Sequence, residues 1–476
     1  MVFLTGLLIH TLLHNTEVKD MQTHSMRLKR FGLVLATIVL AIGMCVVLLA
    51  ATSAMVSSVR AANPGPHEWV IATGYTGTIS IIDAAADIVY GPFLSGTLGS
   101  KWGGLFDVAV TPDGKTALIS NFGDSAVFFV DVSDPLNPSV ILSVTTPMFA
   151  EDIAISHDGQ FALVADGGFS NVLAVIDLPS RTLAYTITLP SGLYANGVDI
   201  APDGTVIVVD YFQNLVETLY PDASGYLTVT GAYSYVMTTS GHVFSYGKMD
   251  ISQLASAADR FPQAANEMNA TGEERFEPNA VELRWPHPVN LVIAPDGQTI
   301  LLCDVAPYTE TKTVYGEWFA QYSLGVFRIT SPGVITFTDV ITGLPRATQS
   351  IVFSPDGTKA FLSENGGYAY DGRYMHYNHL TVLNIDGPGL VSVNRINAVE
   401  FPRLTGSQLF GVDTIAMSTG KLYVGYPTVS GAKNDLRVVN IADYSVKRLD
   451  MPGITTGVGV IPMKRVYLPI IVASSP

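Results

Sequence analysis

The sequence predicts an all-β fold, a seven-bladed β-propeller of four-stranded antiparallel blades, and three observations predict it. First, a segment made of an apolar run, a Pro-Asp-Gly type turn and a second apolar run recurs along the chain. It reads VAVTPDGKTALISN at 108–121, IAISHDGQFALVAD at 153–166, VDIAPDGTVIVVD at 198–210, LVIAPDGQTILLCD at 291–304 and IVFSPDGTKAFLSE at 351–364, with a degraded copy, IAMSTGKLYVGY, at 415–426. Second, the first three turns, at Asp113, Asp158 and Asp203, stand 45 residues apart, the length of one blade. Third, the two ends of the repeat region carry complementary parts of one further unit, and joining them closes the ring.

Each element has its own reason. Apolar runs flanking an Asp-Gly turn form an antiparallel hairpin, because glycine supplies the left-handed backbone and aspartate folds over its own turn. After most hairpins comes a third strand with an acidic turn, as in AVFFVDVS at 126–133, NVLAVIDLPS at 171–180, LTVLNIDG at 380–387 and LRVVNIAD at 436–443. A fourth strand leads to the next copy, as in VILSVTT at 140–146 and LAYTITLP at 183–190. Four strands per unit make a blade. Later turn-to-turn gaps of 93, 60 and 64 residues read as one blade each plus insertions, and an eighth blade hidden between Asp203 and Asp296 is the alternative. At the ends, WVIATGY (69–75) and TISIIDA (78–84) lack an inner strand, and TGVGVIPM (456–463) is an inner strand lacking followers.

Composition agrees. Of the 476 residues 48% are apolar and 14% charged, with 43 glycines and 27 prolines, which suits many short strands and tight turns. Residues 1–25 read as an upstream extension or a misassigned start. Residues 26–61 read as a signal peptide or N-terminal membrane anchor, with Met-Arg-Leu-Lys-Arg as the basic region, Phe31–Ala51 as the apolar run and Val59-Arg60-Ala61 as the cleavage site. The propeller is expected over 67–463 and a short tail over 464–476. The chain is therefore expected outside the cytoplasm, as a secreted, periplasmic or cell-surface protein that meets the membrane only through its N-terminal segment.

Beyond residue 61 there are 21 basic and 39 acidic residues, a surface that repels phosphate backbones and excludes nucleic acid as a partner. The expected partner is a small molecule, a glycan or a peptide, and the chain is expected to be a monomer. Cys303 is the one cysteine beyond the apolar N-terminal run, so there is no disulfide framework.

The second-strand endings LISN (118–121), LVAD (163–166) and LLCD (301–304), with VID at 175–177 and IID at 81–83, resemble the signature of the YVTN and lactonase-like propeller family. That resemblance spans roughly 67–463. It implies the fold, and it is divided on activity, because the family includes surface proteins, lactonases and redox-enzyme subunits.

Candidate chemistry lies where second-to-third-strand loops and blade connectors meet. Six residues before the turn aspartates stand Asp107, Asp152, Asn290 and Ser350, with Asp413 at the matching place in the degraded unit and Glu151, Asn196 and Gln349 as neighbours. Inner strands line the channel. Asp107, Asp152, Asn196, Asn290 and Asp413 are thus the candidate ligands for Ca2+ or another divalent cation, the alternative being strand-end capping and ordered water. Insertions at about 236–286, 305–322 and 365–379 belong to the same face. They bring Trp318, Tyr322, Tyr370, Arg373, Tyr374 and His376, polar-tipped rings suited to ligand contact or to packing within long loops. No Gly-x-Ser-x-Gly elbow, phosphate loop or His-Glu-x-x-His motif is present, so no catalytic residue is assigned. The readings are an exported binding module, a metal-dependent lactonase-like hydrolase using channel carboxylates and amides, and a partner subunit of a periplasmic redox enzyme.

Overall fold

The computed structural model describes residues 68–461 apart from 75, 100–103, 148, 167–169, 191–194, 211–214, 239–242, 250–282, 285–287, 305–308, 313–317, 345–346, 366–377, 402–413, 419, 427–434 and 453–454. Among the described residues every regular element is a strand, and the strands form seven separate antiparallel sheets. The closing blade comes first in the chain, as β1 (Trp69–Gly74), β2 (Thr78–Asp83) and β3 (Ile88–Phe93). Its inner strand is the last element, β31 (Thr455–Ile461), which pairs with β1 from Trp69 opposite Ile461 to Gly74 opposite Thr455. The two ends of the repeat region thus complete one sheet, as the sequence predicts.

Between them the first blade is β4 (Leu105–Val110), β5 (Thr116–Asn121), β6 (Ala126–Asp131) and β7 (Ser139–Thr145). The second is β8 (Ile153–Ile155), β9 (Phe161–Val164), β10 (Val172–Asp177) and β11 (Thr182–Thr188). The third has β12 (Gly197–Ile200), β13 (Val206–Asp210), β14 (Leu215–Pro221) and β15 (Leu227–Thr238), with β16 (Val243–Met249) and β17 (Leu283–Arg284) both paired to β15. The fourth has β18 (Pro288–Ile293), β19 (Thr299–Asp304), β20 (Thr309–Lys312), β21 (Trp318–Ser331) and β22 (Val334–Leu344). The fifth is β23 (Ala347–Phe353), β24 (Lys359–Asn365), β25 (Asn378–Gly387) and β26 (Leu390–Phe401). The sixth is β27 (Thr414–Ser418), β28 (Lys421–Tyr426), β29 (Asp435–Asn440) and β30 (Val446–Asp450).

Both faces of each sheet are buried against neighbours, which explains why the strands read as continuous apolar runs. In β13, Val206 and Val208 pack with Leu163 and Leu173 of the second blade, while Ile207 and Val209 pack with Leu291, Ile300 and Leu302 of the fourth. Each such side chain contributes roughly 1.5–3 kcal/mol of burial. The core is a ring of seams between blades.

The Asp-Gly turns form as their chemistry requires. Gly114, Gly159, Gly204, Gly297 and Gly357 have φ between 68° and 88°, and each donates its N–H to the carbonyl three residues back at 2.8–2.9 Å. The turn aspartates accept the N–H two residues on, at 3.1 Å for Asp113 and 2.9 Å for Asp203 and Asp296. This end of the ring is the turn face. The opposite end, where inner strands start and second strands finish, is the connector face.

Two insertion readings change. Between Asp203 and Asp296 the described residues form no eighth blade, because β16 and β17 add to the edge of β15. The stretch 305–322, expected as a loop, contains a hairpin in which Thr309 faces Gln321 and Lys312 faces Trp318 across β20 and β21. The alternation of Thr with larger residues in 309–312 pairs as an extension of the third strand. Among the described residues no helix is long and apolar enough to cross a membrane.

Candidate functional site

On the connector face the inner strands begin with buried carboxylates that tie one blade to the next. Asp107 stands in β4 and accepts the N–H of Val108 at 2.7 Å and that of Ile153, in the second blade, at 3.0 Å. One blade on, Asp152 accepts the N–H of Val198 in the third blade at 2.8 Å. A third clasp comes from Asp199, which accepts its neighbour Ile200 at 2.7 Å and Ile293 of the fourth blade at 2.9 Å. An inner strand is the edge of its own sheet, so its outward N–H groups need acceptors from elsewhere.

Asp199 stands four residues before its turn aspartate, not six. Strand side chains alternate with period two, so a shift of two keeps the same face. In this blade the position six before the turn is Gly197, where a Cβ would meet the Asn290 Oδ1 and Val209 Cγ2 at 3.1 Å each. Glycine here makes room for Asn290, whose Oδ1 accepts the N–H of Leu291.

Beside the first clasp lies an electrostatic conflict. Glu151 is 1% exposed, and neither carboxylate oxygen has a hydrogen-bond partner. Burial, and then the charges of Asp152, Asp166 and Asp107, push its carboxyl well above the ordinary value. Asp152 is pushed up by burial and by Asp107, against the Val198 N–H that favours its ionised form. In the third blade Glu217 repeats the pattern, fully buried, both oxygens without partners, and raised by burial and by Asp210.

Near this seam three phenylalanines stack. Phe106 and Phe122 lie 5.2 Å apart between ring centres, and Phe122 and Phe149 4.6 Å apart and nearly parallel. Phe149, two residues before Glu151, is 42% exposed. Sequence reasoning did not single out this stack, which joins residues from a strand start, a loop and a connector.

The structure places the sequence-predicted residues as follows. Asp107, Asp152, Asn196 and Asn290 are all buried at inner-strand starts of the first four blades, and Asp413 lies outside the described residues. Both oxygens of Asp107, one oxygen of Asp152 and the Asn290 Oδ1 accept backbone N–H groups, and among the described residues no group of three or more His, Cys, Asp or Glu is placed to hold a metal ion. No step is derived through a metal. Trp318 begins β21. Tyr322, expected on an insertion loop, is instead 3% exposed and packs with Leu324, Leu344 and Leu362, because β21 continues through it into the seam with the fifth blade. Tyr370, Arg373, Tyr374 and His376 lie outside the described residues.

No family model matches the sequence, and no curated protein matches it. Solved structures share the fold. The chain is similar to a functionally unknown protein from Desulfotomaculum acetoxidans at 16% identity, covering 83% of this chain and 99% of that one with a TM-score of 0.55. It is similar to a periplasmic gluconolactonase of Pseudomonas aeruginosa at 15% identity, covering 83% and 99%, TM-score 0.53. It is also similar to a proposed 6-phosphogluconolactonase from Bacteroides uniformis at 10% identity, covering 83% and 100%, TM-score 0.53. At these identities the likeness carries architecture alone.

Proposed function

We propose that this chain is an exported propeller that binds a small molecule, glycan or peptide on its connector face. The observation behind this reading is that each departure from the four-strand plan starts from that face: β16 and β17 follow the connector end of β15, and the β20–β21 hairpin follows the connector end of β19. Additions of this kind on a rigid ring supply specificity without disturbing the core. Export rests on the basic and apolar run at 26–61. Screening the purified chain on glycan and peptide arrays tests the reading. Bound ligands should be lost or weakened about tenfold in Trp318→Ala or Phe149→Ala. Binding that survives both substitutions unchanged argues the site is elsewhere.

A second reading, hydrolysis of a lactone, is favoured by one observation. Glu151, pushed toward its neutral form by burial and by the charges of Asp152, Asp166 and Asp107, stands in a cluster of buried carboxyls, of which Asp107 accepts two backbone N–H groups. A carboxyl kept neutral by burial among other acids is suited to donate a proton in hydrolysis. The fold likeness to a gluconolactonase is consistent with it. Turnover of glucono-lactone that disappears in Glu151→Gln supports this reading, and absence of turnover over a panel of lactones removes it.

A further inference from the structure

We propose that Glu217 carries a proton in the folded chain and makes the seam between the second and third blades a pH-sensitive joint. The case begins with position. Glu217 is the third residue of β14, between Leu215 and Leu219, which pack across the seam with Leu163, Leu173 and Val175 of the second blade. Period-two alternation puts Glu217 on the same side as those leucines. It is fully buried and neither oxygen has a hydrogen-bond partner.

An ionised carboxylate in an apolar seam with no donor is among the most costly arrangements a fold can hold, and the usual escape is protonation. Among the described residues, the groups facing it do not supply a counter-charge. On β13 the nearest titratable neighbour is Asp210, also buried, whose strand partner Leu215 is two residues from Glu217. On β15 the residue opposite is Ala232. From the second blade the facing side chains are Ala154, Leu163, Ala165, Leu173 and Val175, and that blade's carboxylate on this seam, Asp152, is turned to the Val198 N–H. Burial, first, and Asp210 both act to keep the proton on Glu217 and outweigh the opposing effect of its own backbone N–H.

The direction of the pH effect follows. A carboxyl that holds its proton more tightly folded than unfolded adds protons to the folded state. Stability is then fully present below the ordinary glutamate value of 4.5 and drains as pH rises toward the folded value. The third blade also carries β16 and β17. Charging Glu217 would loosen the joint on which that enlarged blade sits.

Melting curves of the full chain from pH 5 to pH 9 test this, with hydrogen exchange read on peptides of each blade. Wild type should lose stability as pH rises, with exchange increasing first in the second and third blades. Glu217→Gln keeps the shape without the charge, and should make that slope shallower, leaving the part due to Glu151 and Asp152, and melt about 2–4 °C higher at pH 8. Asp210→Asn, which removes the neighbouring charge and leaves Glu217 in place, should give an intermediate slope. A Glu217→Gln chain that follows the wild-type slope, or exchange that rises uniformly over all blades, overturns the proposal. If Glu217→Gln fails to fold, an Asp210→Asn slope equal to wild type overturns it as well.

Discussion

The two faces of this propeller treat carboxyl groups in opposite ways. On the turn face, Asp131, Asp158, Asp177 and Asp356 are held below the ordinary aspartate value chiefly by serine hydroxyls, and Asp443 by the backbone and hydroxyl of Ser445. Toward the connector face, Glu151, Asp152 and Glu217 are pushed upward by burial and by neighbouring carboxylates. Turn carboxyls are solvated and serve local backbone geometry, so ionisation suits them. Connector-side carboxyls are packed into seams, where some clasp a neighbouring blade and others have no donor at all. Uncompensated acids of this kind are a recurring feature of functional sites, and they support the proposed site on the connector face.

The largest test of that contrast is Asp107→Ala. It strips the acceptor from the buried N–H groups of Val108 and Ile153 and should cost about 3 kcal/mol in a denaturant melt, since each orphaned buried donor costs about 1–3 kcal/mol. Asp152→Ala should cost less, because losing the Val198 acceptor is offset by relief of the repulsion that raises Asp152. Equal losses would show that the connector-face acids are ordinary clasps, and the contrast between faces would lose its meaning.

Much of this was legible in the sequence, and the limits have physical causes. Turns and blade count could be read because Asp-Gly chemistry is local, and because a seam-buried sheet demands apolar runs on both faces. Closure could be read because β1 and β31 are each incomplete alone. The site was only half legible. Asp107 and Asp152 stand out by their distance from the turn, yet whether a carboxylate meets a metal or a backbone N–H depends on the next blade. Asp199 escaped because Gly197 had taken its place in the repeat, and the aspartate two residues on in VDIAPDG was the available signal. Tyr322 was misplaced because strand β21 runs ten residues beyond its pairing with β20, from Tyr322 to Ser331, without a break at Tyr322 to mark a change. Glu217 carries no signal, since its isolation is created by Leu163, Leu173 and Val175, some 40–55 residues earlier in the chain.

A smaller effect is expected where the ring closes. Gly457, near the start of β31, lies so close to the first blade that a Cβ would approach the Phe106 carbonyl and the Thr73 hydroxyl at 2.7 Å each. The carbonyl is backbone and cannot swing away. Gly457→Ala should therefore destabilise by about 2 kcal/mol through overpacking, seen as a lower melting temperature. A neutral result would mean that the closing blade has more freedom than the other connector-end contacts.

The smallest effect belongs to the turn face, and it should have the opposite pH signature to Glu217. Where the closing blade meets the sixth, Asp87 pairs with Lys421 at 2.7 Å and Lys447 at 3.1 Å, and Tyr423 donates its hydroxyl to the same carboxylate at 3.3 Å. Burial opposes the charge on Asp87, but the hydrogen bonds and charges of the two lysines outweigh it and hold the carboxyl below the ordinary value of 3.8. Because that carboxyl binds its proton less tightly folded than unfolded, its contribution is fully present above pH 3.8 and is lost as pH falls through the folded value. Both lysines keep solvent contact, so Asp87→Ala should cost only about 1 kcal/mol at low salt and less at high salt. Melts of Asp87→Ala and Glu217→Gln should then both approach wild type in acid, the first because Asp87 is protonated there and its lysine pairs are lost, the second because glutamine mimics the protonated form of Glu217. The discriminating region is alkaline, where Glu217→Gln should exceed wild type and Asp87→Ala should still fall short of it. If both variants shift stability in the same direction at pH 8, the two faces do not differ in how they hold charge.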